Sequence, residues 1–317
     1  MRMGGRLFVV GLVTGAVMLG ACAALPPSGS VTTTGPTVGG CPTFPADNAW
    51  NQDVSKLSVR GDSAAMVAKI SSTGGKSFLH ADFGGGGAYG IPYVVVPSTE
   101  PKRRINYTAY GDESDPGPFP IPPSAPVEGA PDPDGDRHVL VVQKGTCHLY
   151  ELYRAFWRGD HWDADSGVNW NLTSNKLRPL GWTSADAAGL PILPGLARYG
   201  EVAHGHMDHA LRFTVAKTQK GYILPATHWA SSSTDSSLPP MGLRLRLKTS
   251  FSLASYHGQS LVILKTLKKY GMIVADNGSS WYITGTKDSR WNDDDLNQLK
   301  HVPGSAFEAV NTGKILH

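Results

Sequence analysis

Residues 139–153 read VLVVQKGTCHLYELY, an unbroken apolar run, a short break at Lys144-Gly145, and then apolar residues alternating with polar ones. Runs of this length, rich in Val and Tyr and divided by a glycine turn, predict a β-hairpin. Working outward, 91–96 is β-branched and bounded by prolines, and 105–110 alternates apolar with polar. Residues 210–215 and 221–224 predict a second hairpin. Residues 243–248, LRLRLK, alternate with strict period two and predict a strand with one wet face. Residues 272–276 and 280–284 flank Asn277-Gly278, a dipeptide of hairpin turns. Helical signals are few: 63–71 behind an N-terminal Ser, a single turn at 184–188, 260–270 ending at Gly271, and 293–299 capped by Asn292. The expected fold is mainly β, a single sandwich or barrel-like domain with long loops and a few short helices.

Composition agrees. With 37 Gly and 23 Pro among 317 residues, roughly a fifth of the chain is backbone punctuation, which rules out long helices and coiled coils. Hydrophobic residues at 40% are enough for a core, which rules out wholesale disorder. The formal net charge is +3, and no stripe of Lys and Arg interleaves with aromatics, so no nucleic-acid partner is expected.

The first 22 residues, MRMGGRLFVVGLVTGAVMLGAC, join a positive start (Arg2, Arg6) to an apolar run too short to span a membrane, the pattern of a signal peptide. Its end, Leu19-Gly20-Ala21-Cys22, resembles the lipobox of bacterial lipoproteins. That resemblance implies removal of 1–21, acylation of Cys22, and a protein held by its lipid on the extracellular face of the cytoplasmic membrane. The span 22–40 holds no charge and is built largely from Pro, Gly, Ser and Thr, so a flexible tether is expected, with the domain at 41–317. Setting Cys22 aside leaves Cys41 and Cys147, an even pair for a disulfide in an oxidising compartment.

Chemistry is harder to read. HExxH, GxSxG, P-loop and dinucleotide fingerprints are all missing, which weighs against zincins, α/β-hydrolases and nucleotide enzymes. Three constellations remain. In 201–209, EVAHGHMDH, Glu201, His204, His206, Asp208 and His209 form a dense run of nitrogen and oxygen groups, open to a metal reading if a further ligand such as His80 or His228 completed it. His80 and Asp82 precede four glycines, 84–87, that would let backbone approach a ligand. Trp182 and Trp229 sit in loops beside polar residues, where indole faces could stack on sugar rings. Glu151, Asp186, Glu201 and Asp276 are the carboxylates nearest apolar strand context, and a pair of them could supply acid and base for glycosidic cleavage.

The body of the chain, in 41–51 (CPTFPADNAWN), 112–123 (DESDPGPFPIPP), 181–196 (GWTSADAAGLPILPGL), 230–242 (ASSSTDSSLPPMG) and 272–285 (MIVADNGSSWYITG), resembles secreted proteins of actinobacterial type. The resemblance implies an extracellular β-rich domain and hands over no catalytic residue. The functional expectation is a cell-surface carbohydrate-active protein, a glycan-degrading hydrolase without a cofactor. Asp186 and Glu201 are its acid and base candidates, with His209 beside them; Trp182, Trp229, His80 and Asp82 would bind substrate. The alternatives are a non-catalytic glycan-binding or scaffold module, and a metal-dependent hydrolase built on His204, His206, Asp208 and His209.

Overall fold

A computed structural model describes residues 35–317; the expected signal peptide, Cys22 and the expected tether as far as residue 34 lie outside the described residues. Among the described residues, fifteen short strands carry the architecture. The first half holds β1 (Thr37–Val38), β2 (Cys41–Pro42), β3 (His80–Ala81), β4 (Tyr93–Val96), β5 (Ile105–Tyr107), β6 (Val139–Gln143), β7 (His148–Tyr153) and β8 (Phe156–Trp157). The second holds β9 (Trp162–Ala164), β10 (Ser166–Asn171), β11 (Leu211–Val215), β12 (Arg244–Leu247), β13 (Met272–Asn277), β14 (Tyr282–Ile283) and β15 (Phe307–Ala309). The α-helices are α1 (Ser63–Thr73), α2 (Tyr199–Ala203), α3 (Gly258–Lys269) and α4 (Asp293–Leu296). The chain is mainly β and barrel-like, as its sequence pattern predicts.

The hairpin at 139–153 is present as β6 and β7, paired antiparallel from Val139 with Leu152 to Gln143 with His148. It forms the middle of a four-stranded sheet, β10-β7-β6-β4. Leu140, Val142, Leu149 and Val168 face the main core, shared with Leu211, Phe213 and Val274 of the second sheet. Val139, Val141, Tyr150 and Leu152 face a smaller core with Phe119, Ile121 and Trp162. Burial on both faces is why β6 reads as an unbroken apolar run.

The second sheet, curled into a half-barrel, runs β15-β12-β13-β11-β14-β3, and here three sequence expectations fail. Asn277-Gly278 does not turn a hairpin: β11 lies between β13 and β14 and pairs with both, parallel to the first and antiparallel to the second. Residues 221–224 form no strand, Tyr222 making only single bridges to Met241 and Leu316. The alternating β12 has no wet face. Arg244 donates to the carbonyls of Ala49, Gln52 and Tyr270, and Arg246 to those of Val54 and Leu57 and to Glu308. Buried guanidinium groups that find carbonyl partners give the same period-two pattern as a solvated face. Residues 184–188 form a side-chain-braced turn rather than a helix, because Ser184 Oγ accepts the N–H of Asp186 and donates to the carbonyl of Leu190.

Cys41 and Cys147 are joined, with Cα atoms 5.2 Å apart. Cys147 is the left-handed turn residue before β7 rather than its first strand residue. Strand pairing is present ahead of Cys41, since β1 and β2 form a small antiparallel hairpin from residue 37. Closing so long a loop predicts that reduction lowers stability by about 2–4 kcal/mol, read as a shift in the urea midpoint with and without reductant. Native protein that alkylates at both thiols without reductant would rule the bridge out.

Candidate functional site

Strand pairing arranges polar side chains on one face of the half-barrel. Asp276, Thr214, Tyr282 and His80 are registered across β13, β11, β14 and β3. One step along, Arg212 on β11 donates through Nη1 to Thr284 Oγ1 at 3.0 Å. Asp276 reaches this face through a β-bulge. Phe213 pairs with Val274, but Thr214 pairs with Asp276, so Ala275 is the extra residue. In an unbulged strand Asp276 would follow Val274 into the core; the bulge turns it to the polar side.

The turn 183–189 lies over this face. Asp186, only 2% exposed, accepts from Arg212 through one oxygen, Oδ2, at 3.1 Å from Nε and 3.0 Å from Nη2. Gly189 closes the turn with φ +70°, and a Cβ there would stand 2.2 Å from Thr227 Oγ1, so only glycine fits. The N-terminal end of β6 brings in a third group. His138 is buried, its Nδ1 against a Glu128 carboxylate oxygen and its Nε2 donating to the carbonyl of Ala185 at 3.0 Å.

Together these elements line a recess of about 320 Å³ whose walls include Tyr110, Asp136, His138, Tyr153, Ser166, Asp186, His228 and Asp276. Burial raises the carboxyl of Asp186, against the pull of Arg212. Burial also raises Asp276, the Asp186 charge adds to it and Arg212 opposes, leaving Asp276 at about 7. The two carboxyls thus compete for one proton, and the Arg212 contacts on Asp186 favour its residence on Asp276. Asp276 Oδ1 accepts the N–H of Asn277 at 2.7 Å, and no side chain pairs with it among the described residues. Burial alone would lower His138, but the Glu128 carboxylate overrides it and lifts the imidazole to about 9, so it is a cation at neutral pH. The Asp136 carboxylate is exposed and has no hydrogen-bond or ion-pair partner among the described residues.

The predicted site residues scatter. Asp186 is in the recess. Glu201 and His209 pair with each other elsewhere, His209 Nε2 lying 3.1 Å from Glu201 Oε2 while Arg198 Nη2 donates to Oε1 at 2.7 Å. Burial would raise Glu201, but Arg198 and His209 bring it down to about 2, so it holds no proton to give at neutral pH. It borders a different hollow, with His204, His206 and Asp208. The metal reading loses its geometry there. His204 Nδ1 faces the Gly200 carbonyl, His206 Nδ1 that of His204, and His209 faces Glu201. No group of three metal-binding side chains converges among the described residues.

His80 and Asp82 lie near the sheet face of Arg212 but outside the recess lining, His80 stacked on Tyr282 with centroids 4.6 Å apart. Partial burial, with Glu128 and Asp136, raises Asp82, and Arg212 opposes. Trp229 stacks on Tyr222 at 5.7 Å and packs against the core. Trp182 lines an adjacent groove. The buried carboxylate of Glu151 is used structurally, accepting from Trp170 Nε1 and from the N–H groups of Ile192 and Leu193. A roomier hollow of about 580 Å³ beside α1 holds Arg60, Lys248 and Glu308, each already paired, with Asp62, the Ser305 carbonyl and Arg246. Asp136 and His138 escaped sequence reasoning, although 134–138, DGDRH, was a visible signal: a charged cluster running straight into an apolar strand. No family model, curated protein or solved structure matches the chain.

Proposed function

We propose that the protein is a cell-surface glycan-degrading hydrolase with Asp276 as its general acid. The observation that carries this reading is the carboxyl pair of the recess, Asp186 and Asp276, in which burial and mutual repulsion keep a proton on Asp276 near pH 7. Cleaving a glycosidic bond needs a proton delivered to the leaving oxygen, and an acid is most effective when its pKa lies near the working pH. Asp276 would give that proton as the bond breaks. Asp136, unpaired and exposed in the same recess, would take a proton from the attacking water. Asp186 is too buried to touch the sugar and acts through Asp276 as a positioning residue, held by Arg212. The disulfide between Cys41 and Cys147 supports an oxidising location, in keeping with a lipid anchor at Cys22.

A screen of bacterial and plant wall polysaccharides for new reducing ends tests the reading. Activity should decline as pH rises through about 7, because Asp276 must be protonated to act. A rate that instead climbs steadily to pH 9 excludes Asp276 as the acid. The rival reading, a non-catalytic glycan-binding module, draws on the Trp-lined groove beside the recess, and binding without any product after long incubation would select it.

A further inference from the structure

Beside the recess runs a groove of about 690 Å³ lined by Asp115, His148, Asn169, Lys176, Arg178 and Trp182, among others. Three chain segments serve both hollows. Tyr110 lines the recess and Asp115 the groove; Ser166 lines the recess and Asn169, on the same strand β10, the groove; Thr183 lines the recess and Trp182 the groove. The ridge between them is tied down. The N–H of Thr183 donates to Glu113 Oε2 at 2.7 Å, and Arg178 donates to the Glu113 carbonyl at 2.6 Å and to Asp115 Oδ2 at 3.0 Å.

We infer that the groove holds further sugar units of the chain that enters the recess, so that the substrate is a polysaccharide rather than a mono- or disaccharide. The inference rests on the glycan reading of the recess. The chemistry of the groove matches sugar hydroxyls. Asn169 Oδ1 is engaged by His148 Nδ1 at 2.6 Å, which leaves the amide donors of Asn169 and the far nitrogen of His148 without partners among the described residues. The indole N–H of Trp182 and the Lys176 ammonium are likewise without partners among the described residues. Trp182 is half-buried, with the Arg178 guanidinium 5.6 Å from its ring centroid. A half-buried aromatic plate flanked by free amide and indole donors and by an imidazole nitrogen that accepts can hold a sugar ring by stacking and by paired hydrogen bonds. The same three segments wall both hollows, so a chain seated in the recess would need only to cross this ridge to reach the groove.

The test separates the groove from the chemistry. Full-length protein carrying Asp276→Asn is applied to an array of bacterial and plant wall polysaccharides and their mono- and disaccharides. Adding Trp182→Ala, or separately a substitution of the exposed Asn169 on the edge strand β10, Asn169→Ala, should weaken polysaccharide binding roughly tenfold or more, with unchanged melting temperature for the Asn169 variant. Disaccharides should be retained weakly and equally by all three proteins. Polysaccharide binding that both substitutions leave intact, or an array with no retained polysaccharide, overturns the inference. So does wild-type protein cleaving disaccharides as fast as polymers, which leaves the acid role of Asp276 standing. Polysaccharide binding that depends on Trp182 but never yields product upholds the groove and removes the hydrolase reading.

Discussion

Asp276→Asn should abolish most turnover and at the same time make the protein more stable at pH 8. Loss of a general acid lowers the rate by about 10²–10⁴-fold. The stability gain follows from linkage. Asp276 stands at about 7 in the folded protein, against 3.8 for an ordinary aspartate. From pH about 4 upward the unfolded chain has released a proton that the folded chain still holds, so rising pH drains stability until it passes about 7. The accumulated cost is on the order of 2–4 kcal/mol, and an asparagine, neutral at every pH, does not incur it. Urea unfolding at pH 5 and pH 8 reads the difference, which should be small at the lower pH and large at the higher. A variant less stable than wild type at pH 8 would show that Asp276 is comfortable as an anion and contradict the acid assignment.

Arg212→Met should have the opposite sign, with a loss of about 3–5 kcal/mol. The guanidinium is buried, and Asp186, fully buried too, has no other charged partner within contact. Methionine fills much of the volume but leaves a carboxylate stranded in the core, and Thr284 Oγ1 loses its donor. The double variant Arg212→Met with Asp186→Asn should recover a substantial part of the loss, because the stranded charge disappears with its partner. Denaturation midpoints of the two single variants and the double variant decide the point. Additive losses, with no recovery in the pair, would mean that packing around Arg212 outweighs its charge.

The sequence exposes what depends on local pattern and hides what depends on contact order in space. The apolar run 139–142 and the helical spacing in 260–270 specify β6 and α3 because each element needs a buried face whatever its neighbours are. Sheet order is different. Nothing near Asn277-Gly278 signals that β11, sixty residues earlier in the chain, will insert between the strands on either side. Arg244 and Arg246 mislead for a related reason, since four of the five carbonyls that satisfy them come from 49–57, far away in sequence, and the fifth from Tyr270. The site divides in the same way. Asp186 and Asp276 are recognisable as carboxylates in apolar surroundings, but the choice of partner is not. Glu201 looks equally suitable until Arg198 is found beside it, and the single extra residue that turns Asp276 outward leaves no trace in hydrophobic periodicity.

The bond between Cys41 and Cys147 also decides how the molecule would carry a mechanical load. A load applied from the N-terminal side would enter the described residues through the β1–β2 hairpin, whose two registered pairs could be unzipped. At Cys41 the pull passes covalently to Cys147, at the turn joining β6 and β7 in the doubly buried sheet. The 105 residues between the two cysteines, α1 and β3 among them, are therefore bypassed by the covalent path from Cys41 to Cys147. Such a pull would strain the sheet at Cys147 before it loaded the segment that the bridge bypasses. The bridge is in this sense a strain relief, as a cable clamp protects the soldered joint behind it.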